Sequence, residues 1–556
     1  MKTIRILGTQ IDRRAALWAS LLAAPFLGWL SQRINLDIWF DEVCSLDSYT
    51  FVFPLKTIFD YGNTNNHIFF NLLNNLLLLP FRVAFGLNMG TFLRHPWIIR
   101  IVPLVYTVLL FVVLYVIAVR FLDRESAPMV VILLATSIPF YNFCLQIRGY
   151  ILSMLLLSLL VYFLWSGARR RELTGTLICT ALLIYTIPTN ALFVCGLGLT
   201  NLGAMVGASR SVRVDNLKAL ASLGIGSVLG FLGYLPPVLY RMPGRGNIVM
   251  GHFQGRWRVD LDAFRVIMTS VCKAFVANQW LLIVGLVLAC LVIVFRRSAA
   301  IAPLRGRFFR LVIALFAPFG LLYLVGIGDE FTSRIMVVAA PLFVLLFAAS
   351  FALVYQGFPI LKRAPRVLIV ALFIYFNVCF YLNFEIMERR ALLDIASGKS
   401  SQNLYQNFYL ARYHISGAMA QLNQLLRQDS IPVILYRHNG IGTECYLKEY
   451  GIPYTAQEWN QFKFVEFKTT LDHLPRAYVL TLYPNTFAAD LLREMPEYRF
   501  TRVSPQWDYH DLFLLERRAG ATRSMLRPNR RSPALAAGAF PTVTSSTGAA
   551  PSVAAN

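Results

Sequence analysis

Long apolar runs separated by short polar stretches fill most of the chain. They recur at 15–31, 99–119, 127–147, 149–165, 173–189, 190–207, 217–239, 274–295, 309–327, 335–357 and 364–383. Runs of about 17–25 apolar residues are long enough to cross a bilayer as helix. They are continuous rather than alternating, which selects helices over strands. Within hydrocarbon the backbone must satisfy its own polar groups, leaving only helices or a closed barrel. The pattern predicts an all-α polytopic membrane protein of about eleven transmembrane helices.

One further apolar segment, 68–86 (IFFNLLNNLLLLPFRVAFG), carries Asn71, Asn74, Asn75, Pro80 and Arg82, a poor composition for facing lipid. The distribution of basic residues decides its treatment, because cytoplasmic loops are enriched in Lys and Arg. If 68–86 crosses, then Arg169 to Arg171, Arg210, Arg213, Lys218, Arg296, Arg297, Lys362 and Arg363 all fall outside. If it lies along the surface or re-enters, they fall inside. The second arrangement is expected, with the N-terminus inside and the C-terminus outside. The basic stretch Met1–Arg14 followed by an apolar run then acts as a retained signal anchor.

After residue 383 the character changes. SIPVILYR, RAYVLTLYP and HDLFLLERR predict strands, and 402–428 and 486–495 predict helices, so 384–518 is expected to be a small soluble α/β domain. Residues 519–556 are rich in Ala, Pro, Ser and Thr and are expected to be a disordered tail. Residues 1–383 form the membrane domain.

Composition agrees. Of 556 residues, 57% are apolar and 15% charged, against about 25% charged in soluble domains, and the mean hydropathy is +0.56. The net charge of +23 would suit nucleic acid, but Lys and Arg cluster at span ends, where membrane orientation requires them; no nucleic-acid partner is expected. The eight cysteines show no paired or metal-ligand spacing, and Cys445 stands alone in the C-terminal part, which excludes a disulfide framework there.

Chemistry concentrates in the outward loop 32–98. Asp41-Glu42, in WFDEVCS, follows the first span directly, and a charge beside a bilayer is costly unless it works or is paired. Further on, His67 stands next to Asn65 and Asn66. Arg148, two residues before Tyr150, begins one span, and Arg334 begins another. Two guanidinium forks at one interface suit a phosphate. Together these groups imply a lipid-phosphate donor at the outer face.

In this layout the chain resembles the GT-C superfamily of membrane glycosyltransferases, which includes protein O-mannosyltransferases, lipid A aminoarabinose transferases and bacterial lipopolysaccharide-core sugar transferases. The resemblance rests on WFDEVCS, NTNNHIFFNLL, QIRGYILSMLLLSLL and SRIMVVAAPLFVLL, in that order, over roughly residues 10–385. It departs from the family pattern where Ile68-Phe69 replace the prolines usual after the histidine and where no further acid stands near Arg148.

The resemblance implies inverting transfer of a sugar from a polyprenyl-phosphate donor to a glycan, lipid or protein acceptor, at the outer face of a bacterial inner membrane. Asp41 would be the catalytic base and Glu42 would orient base or acceptor. Arg148 and Arg334 would hold the donor phosphate, and Asn66, His67 and Tyr150 would line the pocket. No cofactor is certain, and a divalent cation is left open. The competing class is a transporter or flippase of a lipid-linked glycan. Such proteins place ionisable residues near the bilayer midplane and often show inverted repeats; here the charges gather at one face and no repeat is evident.

Overall fold

The computed structural model describes residues 3–60, 66–241, 279–296, 301–325, 336–358, 360–361, 365–396, 415–437, 441–458, 474–482, 497–503 and 510–518. The chain opens on an antiparallel hairpin, β1 (Thr3–Ile6) and β2 (Thr9–Asp12). Its two-residue turn places both Leu7 and Gly8 at positive φ, the geometry that matches the twist of paired strands. This hairpin lies within the basic stretch expected to lead into a signal anchor, whose charges mask its alternation. Asp12 then caps α1 (Arg13–Arg33), its carboxylate accepting from the Arg14 N–H at 2.9 Å.

The expected outward loop contains four short or medium helices: α2 (Phe40–Ser45), α3 (Pro54–Phe59), α4 (Ile68–Phe85) and α5 (Met89–Arg94). A π-helical turn, Leu46–Thr50, links α2 to α3. The bundle continues with α6 (Pro96–Ile117), α7 (Ala127–Ala135), α8 (Ile138–Phe143), α9 (Tyr150–Ser166), α10 (Arg170–Thr186), α11 (Ala191–Met205) and α12 (Arg210–Leu232). After α13 (Leu235–Arg241) come α14 (Gln279–Phe295), α15 (Ala302–Val325), α16 (Ala340–Gly357) and α17 (Pro365–Ala396).

Among the described residues, six helices are long and apolar enough to cross a membrane. Others are shorter than the sequence predicts. The run 127–147 breaks at Thr136 and Ser137 into α7 and α8, with Pro139 in the first turn of α8, the one place in a helix where a missing N–H costs nothing.

α4 is among the six by length and composition, and side-chain anchors fix it along its length. Just before its first turn, His67 accepts from the Gly149 N–H at 2.7 Å. In its last turn, Arg82 donates to Thr50 O and Phe51 O at 3.1 and 2.8 Å. Midway, Asn75 donates to Tyr49 O and Val52 O. Just beyond it, Arg94 of α5 pairs with Glu449 of the C-terminal domain at 2.6 Å. The helix therefore starts and finishes at the same end of the bundle. Its asparagines are buried against the loop, while Leu76, Leu77, Phe81, Val83 and Phe85 are exposed on the other face.

Burial ranks the bundle helices. The window Val337–Gly357 is 83% buried and that of α1 only 17%, so α16 is central and α1 peripheral. α12 packs on α10 through Gly226 and Gly230; a Cβ at either would lie 2.6 Å from Leu177 O or 2.8 Å from Ala181 O. Small residues four apart let membrane helices approach this closely.

The C-terminal part holds α18 (Ile415–Gln428), β3 (Val433–Arg437), α19 (Ile441–Glu449), β4 (Thr455–Glu458), β5 (Arg476–Leu482), β6 (Tyr498–Arg502) and β7 (His510–Arg517). The sheet order is β4-β3-β5-β7-β6. β3 pairs parallel with β4 and β5, and β7 antiparallel with β5 and β6. β3–α19–β4 is thus a short crossover unit. α18 buries Ile415, Ala418, Met419 and Leu422, an amphipathic stripe. The three strands read from the sequence are β3, β5 and β7. The helix expected over 486–495 and the tail 519–556 lie outside the described residues.

Candidate functional site

α2 carries the acidic pair in its first turn, where the positive end of the helix favours carboxylates. Each carboxylate meets an arginine from elsewhere in the chain. Asp41 Oδ2 accepts from Arg148 at 2.6 Å, across 107 residues. The pair is nearly dry: side-chain exposure is 4% for Arg148 and 10% for Asp41. Burial alone would lower the pKa of the Arg148 guanidinium, but Tyr150, Asp41, Glu42 and Cys44 around it more than offset this and raise it, so the cation persists.

Glu42 has a different setting. Its Oε2 accepts from the Trp39 N–H at 2.9 Å and faces Arg100 at 3.5 Å, while its Oε1 accepts from the Ile147 N–H at 2.8 Å. Both side chains of the Glu42–Arg100 pair have no solvent exposure. Arg100 also donates to Arg33 O, Ile34 O, Leu36 O and Asp37 O. Glu42 therefore joins the start of α2, α6 and the turn before α9, and through Arg100 the end of α1 as well. Asp41, one residue earlier, is held in register by that lock.

His67 and Tyr150 complete one wall. His67 Nδ1 accepts the Gly149 N–H, which leaves the neutral ring protonated at Nε2. Its ring packs edge-on against Tyr150 at 5.2 Å, and Phe143 packs on the other side of Tyr150 at 5.0 Å. The Arg148 Cζ lies 5.3 Å over the Tyr150 ring, a cation–π contact. Gly149 is required here, because a Cβ would lie 2.7 Å from Thr186 Cγ2 and 3.0 Å from His67 Nδ1. Asn66 has another use: it donates to Thr57 O and Asp60 O at 3.0 and 2.6 Å and accepts from Asn71 at 3.0 Å, which fastens the loop behind His67.

Of the residues singled out in the sequence, Asp41, Glu42, His67, Arg148 and Tyr150 are brought together, and Arg334 lies outside the described residues. Arg100 was missed. Its signal was legible, since an arginine inside an apolar helix marks function by default, but at the edge of a run it reads as a side chain reaching for the interface.

Both carboxylates already face guanidinium groups, and among the described residues no three His, Cys, Asp or Glu side chains gather as metal ligands. Burial pushes the Cys44 thiol up to about 12, with Asp41 and Cys445 adding to the effect, so it stays a neutral thiol.

No protein-family model and no curated protein sequence matches the chain. Among solved structures it is similar to ArnT from Cupriavidus metallidurans, crystallised bound to undecaprenyl phosphate. The likeness has a TM-score of 0.50 at 14% identity and covers 89% of this chain and 98% of that one. The chain shares the fold of that structure. At 89% coverage the likeness extends beyond residues 1–383 of this chain.

Proposed function

We propose that this chain is an inverting glycosyltransferase of a bacterial inner membrane, moving a sugar from a polyprenyl-phosphate donor to an acceptor hydroxyl at the periplasmic face. The observation that carries the reading is the buried Asp41–Arg148 pair at 2.6 Å, set at one end of the bundle. That the similar ArnT structure holds undecaprenyl phosphate supports the donor class.

In this reading the phosphate of an arriving donor shares Arg148 with Asp41. That frees a carboxylate oxygen of Asp41 to meet the acceptor hydroxyl. Asp41 then takes the proton of the acceptor hydroxyl, and the oxygen attacks the anomeric carbon on the face opposite the phosphate. The bond from that carbon to the phosphate oxygen breaks, and polyprenyl phosphate leaves with the electron pair. Arg148 stabilises the charge that grows on it. His67, neutral with its proton on Nε2, and Tyr150 shape the sugar side, while Glu42 and Arg100 hold α2 in place.

Purified protein in bilayer discs, assayed with a panel of polyprenyl-phosphate hexoses and pentoses, tests the reading. Asp41→Asn is expected to lower turnover by about 10²–10⁴-fold, the usual worth of a placed base, with insertion unchanged. Equal turnover in the variant rejects the assignment.

A further inference from the structure

The segment that leads into α2 is held by the C-terminal domain as well as by the bundle. The Ile38 N–H donates to the Tyr446 hydroxyl at 2.9 Å, and that hydroxyl donates to Ile38 O at 3.4 Å. Asp37 Oδ2 accepts from both the N–H and the hydroxyl of Ser416, at 2.7 and 2.8 Å, so a carboxylate of the loop caps the first turn of α18. The Arg94–Glu449 pair brings α5 and α19 together beside these bonds. Tyr446 and Ile38 have no solvent exposure.

α2 is six residues long, too short to hold its own shape. Its direction is set by what grips its two flanks. On one side Arg100 of the bundle grips Asp37 O and the Glu42 carboxylate. On the other, Tyr446 and Ser416 grip the two residues just before its N-cap, Trp39. Asp41 stands three residues beyond Ile38. A displacement of about 1 Å at a reacting group can cost about 10²-fold in rate, and Ile38 is close enough for its position to be felt there.

We propose that the C-terminal domain completes the reactive site by clamping the approach to α2, with Tyr446 as a positioning residue for Asp41 and Ser416 as its support. The kinetic part rests on the sugar-transfer reading; the structural part does not. The domain is therefore a working part of the site, seated on the loop that carries the base.

The test uses the full chain in bilayer discs, with Tyr446→Phe, Ser416→Ala and a remote control, Arg476→Gln, which changes the half-exposed pairs to Asp429 and Glu516 at the start of β5. Tyr446→Phe keeps the ring and removes the hydroxyl, so folding is preserved. Amide exchange over residues 36–46 is expected to quicken about fivefold or more in Tyr446→Phe, and turnover to fall about tenfold, as for loss of one buried hydrogen bond. The KM for donor should stay within about twofold, because only a rate term is disturbed. Ser416→Ala should do the same more weakly, and Arg476→Gln should leave both readouts at the wild-type level. Exchange and turnover unchanged in Tyr446→Phe, or an equal loss in Arg476→Gln, overturns the clamp. If wild type transfers no sugar, the sugar-transfer reading fails and exchange alone decides the clamp.

Discussion

The two ends of the bundle use the same charged groups in opposite ways. At one end, Asp41–Arg148 and Glu42–Arg100 are buried, with side-chain exposures of 10% and 4% for the first pair and none for the second. At the other, Asp12 meets Arg124 at 3.4 Å while Arg124 remains 61% exposed. Around it Arg120 reaches the Tyr162 hydroxyl, Tyr162 reaches Leu7 O, and Gln356 reaches Asp123. These bonds tie the hairpin and the helix ends together, and water can replace the Asp12–Arg124 contact. The buried pairs have no such substitute. Two ion pairs kept dry add little stability over apolar packing, so their persistence at one end points to use, and the wet pair at the other end needs no such explanation.

That contrast can be broken or sharpened by substitution. The largest expected effect is Arg100→Leu, which leaves Glu42 buried without its cation and releases the backbone of residues 33–37. It should cost about 3–5 kcal/mol, seen as a large drop in the thermal midpoint in detergent; an unchanged midpoint would remove the lock from the account. Gly149→Ala should cost about 1–3 kcal/mol by overpacking against Thr186 and His67. The matched change Gly203→Ala, with nothing within 4 Å of the added methyl, should be neutral or slightly stabilising. If the two behave alike in melting experiments, the close approach at Gly149 carries no weight. The smallest effect belongs to Arg124→Ala, about 0–1 kcal/mol because the pair is mostly wet. A loss as large as that of Arg100→Leu would erase the difference between the two ends.

Much of this was readable from the residues. Asp41, Glu42 and Arg148 stood out because charge beside apolar runs is costly, and the structure gathers them. The expectation that 68–86 lies along the surface rests on the placement of arginines in other loops; the structure adds the anchors of α4 to the π-turn and to Gly149. The partner of Glu42 could not be read, since sequence shows a charge and not what faces it over 58 residues. β4 (TAQE) and β6 (YRFTR) escaped because four or five residues are too few to set a strand apart from the polar stretches around them. Their pairing is supplied by β3 and β7. The role of Asn66 was misplaced for a similar reason: an asparagine beside a histidine reads as a ligand group until its bonds to Thr57 and Asp60 are seen.

The central claim is that Asp41 and Arg148 act as one unit, and a double-mutant cycle on turnover tests it most directly. Asp41→Asn, Arg148→Gln and the double variant would be compared with wild type in the same discs, with a polyprenyl-phosphate sugar as donor. Groups that act as one unit lose function non-additively, so the double variant should be no slower than the slower single one. Losses that multiply would mean that the two side chains act independently, and would contradict the account.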